Sequence, residues 1–447
     1  MKKASRTNSL ETASVPRLML AMCSQTTFSI LLYNFYVMTD TFFVSRTAGS
    51  LASGAIGIFS PVLVLVGGIS STLGIGAGSV ISRKLGEGSS REGKAVAGCM
   101  IWMWLAGSVV ITAAGLLFLK PLLTALGCTP QILPYAVDYG AVLLLGTVFS
   151  TGFSGVMRAE GDIGYSMLQW AVPVTVNLAL DPLFILVFSM GIRGAAWATF
   201  LAQVVSAGSS MYYFFFRKST PCRLGFREIR WNRRIGKEIL SIGLPSFLNN
   251  LGNSLAVIVC NHVLGQAGGN QAIGSFAVIE RLQSFFLTPF SGIMQGIQPV
   301  IGFDWGRRRK DRIRKTMTYA LVTGVVYGLL LTCLCFPGSR WLIRLFTDEA
   351  GIKRTGGQAL RILCLSFCLK GILPVVQAFY QALGMGKKVL FLSLGSIFAI
   401  RIPLLFLLGM AGSIHVVWYA FILSDILTAA WSVYSCHKFQ GDKLWKA

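Results

Sequence analysis

The chain has 447 residues, of which 54% are hydrophobic and only 13% charged, with a formal net charge of +23. A soluble domain carries about 25% charged residues, so this composition, with a mean hydropathy of +0.65, excludes an ordinary soluble enzyme. The basic excess does not mark a nucleic-acid partner, because Lys and Arg cluster in short loops between apolar runs and form no continuous surface to track phosphates.

A membrane helix needs about 20 apolar residues to cross the hydrocarbon, and twelve such stretches are predicted. In chain order they are 17–43, 51–80, 95–119, 134–157, 165–189, 194–216, 239–263, 272–302, 316–336, 355–382, 388–409 and 413–436. The first starts near Leu18, is too long for a signal-peptide core and has no small-residue cleavage pattern after it, so it reads as a retained helix. In the second, Gly74, Gly76 and Gly78 read as a small-residue helix interface rather than a dinucleotide fingerprint. The segment from Gly88 to Ala95 nearly spells a phosphate-binding loop, but Ala95 stands where a hydroxyl must reach Mg2+, and no strand precedes it. Most of the ten cysteines lie inside apolar runs. Cys364 and Cys368 are one turn apart with no histidine nearby, which favours small apolar core residues over a zinc site.

The loops give an orientation. With both termini cytoplasmic, 29 Lys and Arg fall on the inner side and seven on the outer side, the bias that the positive-inside rule requires. The expectation is a multi-pass protein of the cell membrane, in contact with lipid and monomeric. An internal repeat divides it. Gly49, Ala52, Gly54, Gly76, Val80, Ile81 and Gly86 recur as Gly269, Ala272, Gly274, Gly296, Val300, Ile301 and Gly306, and Gly191 and Trp197 as Gly412 and Trp418. Six helices per copy is an even number, so both copies enter the membrane from the same side, as in transporters with parallel repeats. The expected domains are an N-terminal lobe at 1–216, a basic cytoplasmic linker at 217–238 and a C-terminal lobe at 239–447.

Several motifs in this order resemble the MATE (multidrug and toxic compound extrusion) family over nearly the whole chain. They are the run from Asp40 through Gly49 and Gly57 to Pro61, NLALDPLFI with GIRGAAWAT at 177–199, QGIQPVIGFDWG at 295–306, FTDE at 346–349, YQALG at 380–384 and RIPLL at 401–405. The resemblance implies an all-α integral membrane fold of twelve helices in two pseudo-symmetric six-helix lobes. It also implies export of amphipathic, often cationic, small molecules by ion-driven alternating access. The family's proline in helix 1 has no counterpart; Pro16 stands only at the start of that helix.

An Asp at the bilayer centre costs about 2.5–3.5 kcal/mol on insertion scales, so a carboxylate there reads as functional. Asp40 lies in helix 1 and Asp181 in helix 5. Tyr36 precedes Asp40, and Asn177 precedes Asp181, by four residues, so each pair shares a helix face. Thr199 lies on helix 6. If these helices meet, the oxygen-rich group suits Na+, held by Asp40, Asn177 and Asp181, or a shared proton. The resemblance implies the same cation site at Tyr36, Asp40, Asn177, Asp181 and Thr199. The bland readings are a helix end at Asp181–Pro182, a cap at Asp40, and packing at Tyr36 and Thr199. In the second lobe Asn249 and Asn250 stand where some relatives carry a helix-7 acid. Glu280, Arg281, Lys370 and Arg401 remain, with Glu280 expected to pair with Arg401 or Lys370; three bases against one acid also admit a partly anionic substrate. No catalytic pair is visible, and no cofactor is expected beyond the coupling ion. The reading is a cation-coupled antiporter, with a lipid-linked precursor flippase of related architecture as the alternative.

Overall fold

The computed structural model describes residues 7–439 apart from 48, 151, 219, 348 and 411–413; within helices the side chains of 7–9, 37, 40–43, 45–47, 49, 50 and 53 also lie outside the description. Among the described residues there is no strand. The first six spans are α1 (Val15–Thr47), α2 (Gly49–Gly86), α3 (Ser90–Leu117), α4 (Leu133–Ala159), α5 (Ile163–Val187) and α6 (192–216). The second six are α7 (233–268), α8 (270–306), α9 (Lys310–Arg344), α10 (350–382), α11 (Gly386–Gly409) and α12 (Ile414–Phe439). All twelve predicted helices fall on these spans. The main departure is length: α7 begins at Arg233 because its first turns are basic but still helical.

Helix α7 runs into α8 without a loop. The break is Gly269, at φ 61° and ψ −155°, a conformation that only glycine adopts cheaply. The short loops elsewhere turn through Gly88, Gly127, Gly161, Gly191 and Gly384, all at positive φ.

The chain separates into two compact units: residues 7–13 together with Phe28–Gly243, and Leu244 onward together with Ser14–Thr27. In the first unit, glycines let helices approach closely. A Cβ on Gly74 would collide with the Gly152 carbonyl, and one on Gly78 would meet the Gly155 carbonyl, as expected of a small-residue interface. Phe59, Tyr139, Leu143, Ala195 and Ala196 form a buried cluster between α2, α4 and α6. In the second unit, Val15 and Met19 of α1 pack with Ile293, Ile297, Val376 and Phe379. Thr26 Oγ1 donates to the Gly292 carbonyl at 2.7 Å. These contacts are why the first turns of α1 belong with the second unit.

Candidate functional site

The first-unit site is built on α5. Asn177 and Asp181 are 1% and 0% exposed and one turn apart. Pro182 follows and has no N–H for the Leu178 carbonyl, and the helix continues as a π-turn over Leu183–Val187. π-turns recur at functional positions. The Asn177 amide is satisfied best with Nδ2 donating to Asp181 Oδ2 at 2.9 Å and Oδ1 accepting from the Thr199 N–H at 3.2 Å. Turned the other way, Nδ2 lies 3.3 Å from Asp181 Oδ1 and 3.4 Å from Thr199 Oγ1. The Thr199 hydroxyl of α6, 8% exposed, lies 3.3 Å from the Tyr36 hydroxyl of α1. Four of the five residues singled out in the first lobe therefore meet: Tyr36, Asn177, Asp181 and Thr199. The fifth, Asp40, lies one turn beyond Tyr36 on α1; its side chain is outside the described residues.

The second unit gathers charge differently. The anion that contacts its bases is Asp425 of α12, not Glu280. Lys370 Nζ lies 3.3 Å from Asp425 Oδ2, and Arg401 Nη2 lies 3.6 Å from Asp425 Oδ1. The Ser366 hydroxyl donates to Asp425 Oδ2 at 2.6 Å. Among the described residues Glu280 forms no ion pair within 4 Å, but Lys370 and Arg401 both act on it electrostatically. The expected Glu280 pairing is corrected accordingly: α12 brings its own acid closer to both bases. Asp425 is the residue the sequence reading missed. It stands mid-span in α12, and the cost argument that picked out Asp181 applies to it equally. Arg281 and Asn250 are exposed and Asn249 is half-buried; among the described residues no side-chain hydrogen bond or ion pair ties these three to the charged cluster.

Twelve apolar spans in duplicated sets of six, with ionisable groups gathered inside each set, are the architecture of a membrane transporter, not an enzyme. A MatE family model matches residues 26–183 and 245–407, and the chain belongs to the MatE family. Among curated proteins, Multidrug export protein MepA of Staphylococcus aureus is 26% identical over 400 residues, 88% of each chain. Among solved structures, an outward-facing multidrug resistance MATE family transporter of the MOP superfamily superimposes with a TM-score of 0.93 at 24% identity over 100% of both chains. A MATE in complex with MaL6 superimposes with a TM-score of 0.93 at 25% identity, also over 100% of both.

Proposed function

We propose that the chain is an exporter of amphipathic small organic molecules, driven by inward movement of Na+ or H+ through the first-unit site. The observation that supports this most is the convergence of Tyr36, Asn177, Asp181 and Thr199 from three helices. All of them carry oxygen, and a buried carboxylate beside hydroxyls and an amide is the donor set of a hard monovalent cation or a carried proton. The multidrug export activity named for the staphylococcal relative supports the substrate class. Asn177 turns its amide nitrogen to Asp181 in the arrangement described above. Binding Na+ requires the amide to rotate and present its oxygen, whereas a protonated Asp181 keeps a carbonyl oxygen that accepts from the amide nitrogen as it stands. Asp40, one turn beyond Tyr36, supplies the second acid in this reading.

Coupling follows if the cation and the organic substrate favour opposite conformations. One charge moving down the membrane potential contributes about 2.3 kcal/mol per 100 mV, which drives export without nucleotide. The cell membrane, with both termini cytoplasmic, and a monomeric state complete the proposal. The test is ethidium efflux from cells carrying Asp181→Asn, Asp40→Asn or Asn177→Ala. Efflux falls at least about tenfold in the Asp variants at unchanged expression; wild-type efflux in both would sink the proposed site. Reconstituted vesicles under a Na+ gradient alone or a pH gradient alone then identify the ion.

A further inference from the structure

We propose that the second unit contains a subsite for an anionic group of the transported molecule, formed by Lys370 of α10 and Arg401 of α11, with Asp425 of α12 occupying it internally until that group arrives. This deepens the exporter reading and rests on it: the substrate class becomes amphiphiles that carry a carboxylate or a group of like charge, zwitterions included.

The argument starts from how poorly the two bases are satisfied. Arg401 Nη2 is 3.6 Å from Asp425, beyond hydrogen-bonding distance. Arg401 Nε is buried with no hydrogen-bond partner among the described residues. Lys370 carries three N–H donors and meets Asp425 at 3.3 Å. A purely structural ion pair inside a membrane stabilises only when its donors are closely met, and this one leaves a guanidinium fork open. Asp425 itself is held most tightly by Ser366, at 2.6 Å, so it keeps a partner when the bases turn away. A planar carboxylate fits the open fork in a bidentate manner, and the ammonium completes its charge.

The repeat adds an independent observation. Pro182 recurs as Pro403 at the same 221-residue offset that relates Trp197 to Trp418. The first unit places an acid, Asp181, just before its proline; the second places Arg401 two residues before. Arg401 also ends a π-turn, Gly395–Arg401, as Asp181 and Pro182 lead into one in the first unit. Each unit sets a π-turn against this proline, after it in the first unit and before it in the second, with an acid beside the proline in one and a base close to it in the other. The first suits a cation and the second an anion.

Charge balance sharpens the test. Lys370 and Arg401 face Asp425 directly and Glu280 at longer range, so an added carboxylate leaves three acids against two bases. Asp425→Asn removes one acid and restores balance, so it raises affinity for the anion. The experiment titrates purified protein in detergent with para-trifluoromethylbenzoate and, separately, with the matching benzamide, followed by fluorine NMR. The acid binds saturably and the amide does not. Lys370→Gln and Arg401→Gln each weaken acid binding about tenfold, and Asp425→Asn tightens it by a similar factor. A gain of affinity cannot come from loss of fold. Absence of saturable acid binding, equal binding of acid and amide, or titrations unchanged in all three variants would overturn the subsite. The measurement requires neither transport nor a gradient, so failure of the exporter reading and failure of the subsite are separately visible.

Discussion

Glu160 follows α4 in the turn at 160–162, outside the membrane spans, and is 0% exposed. Burial pushes its carboxyl up to about 8 from the usual 4.5; bonds from Tyr213, at 2.9 Å, and Cys222 oppose the shift, Asp162 adds to it and Arg217 reduces it. The folded chain therefore holds a proton that the unfolded chain releases above the ordinary carboxylate range. The stability that this proton contributes is complete below about 4.5 and is lost as pH rises through about 8. Glu160→Gln keeps an acceptor for Tyr213 and removes the titration. Thermal melts at about pH 4 are then alike for the two proteins, the difference opens as pH rises above about 4.5, and at about pH 9 the variant is more stable by about 1–3 kcal/mol; equal losses with pH would refute the assignment. Residues of this kind show how far a sequence can be read. Asn177 and Asp181 were legible because a four-residue interval on a helix is a geometric fact. Glu160 and Asp425 were not singled out. What makes Glu160 matter is the packing of Tyr213 and Cys222, which are 53 and 62 positions away in the chain.

Two turns related by the repeat carry the same device with opposite polarity. Lys84 of α2 meets Glu92 of α3 at 2.8 Å, and the equivalent Asp304 of α8 meets Arg312 of α9 at 3.1 Å. The left-handed residue between each pair is Gly88 at φ 80° in the first turn and Arg308 at φ 56° in the second. A non-glycine residue in that conformation costs about 1–2 kcal/mol, and glycine gives back about 0.5–1 kcal/mol through the freer unfolded chain. Arg308→Gly therefore stabilises the protein by about 0.5–1 kcal/mol, whereas Arg308→Ala, which loses the charge but keeps the Cβ, does not. A thermal melt in which both variants shift alike would assign the effect to charge instead. The repeated glycines of this turn and of the α7–α8 break were legible as conserved spacing between the two halves of one chain. The π-turns at Leu183–Val187, Tyr212–Phe216 and Gly395–Arg401 were not, because an inserted residue leaves apolar periodicity nearly unchanged. At Leu183–Val187 and Gly395–Arg401 a proline, Pro182 or Pro403, stands beside the turn, a recognised cause of a local break in the helix ladder.

For the whole molecule, apolar length alone specified twelve spans, since no other backbone arrangement satisfies its hydrogen bonds across a bilayer except a closed barrel. The assignment of Ser14–Thr27 to the second unit was beyond sequence reading: Val15, Met19 and Thr26 look like any other first-helix residues until Ile293, Ile297 and Gly292 are placed against them. Orientation is a separate quantity, set by where the basic residues lie and not by packing. The segment 217–237, which runs into the first turn of α7, carries eight Lys and Arg, while the short helix between α3 and α4, Leu119–Ala125, carries only Lys120. Both Arg227 and Lys120 are exposed, so cysteines placed there reach solvent on whichever side they occupy. The native cysteines are mostly buried and pack as small apolar residues, which makes a cysteine-free background feasible. In that background a membrane-impermeant maleimide labels Lys120→Cys in right-side-out vesicles and Arg227→Cys only in inside-out ones. Dragging eight bases across the hydrocarbon instead is opposed by both desolvation and the membrane potential, so a single population with the reverse pattern would require a different determinant of topology and would place the proposed cation entry on the opposite side.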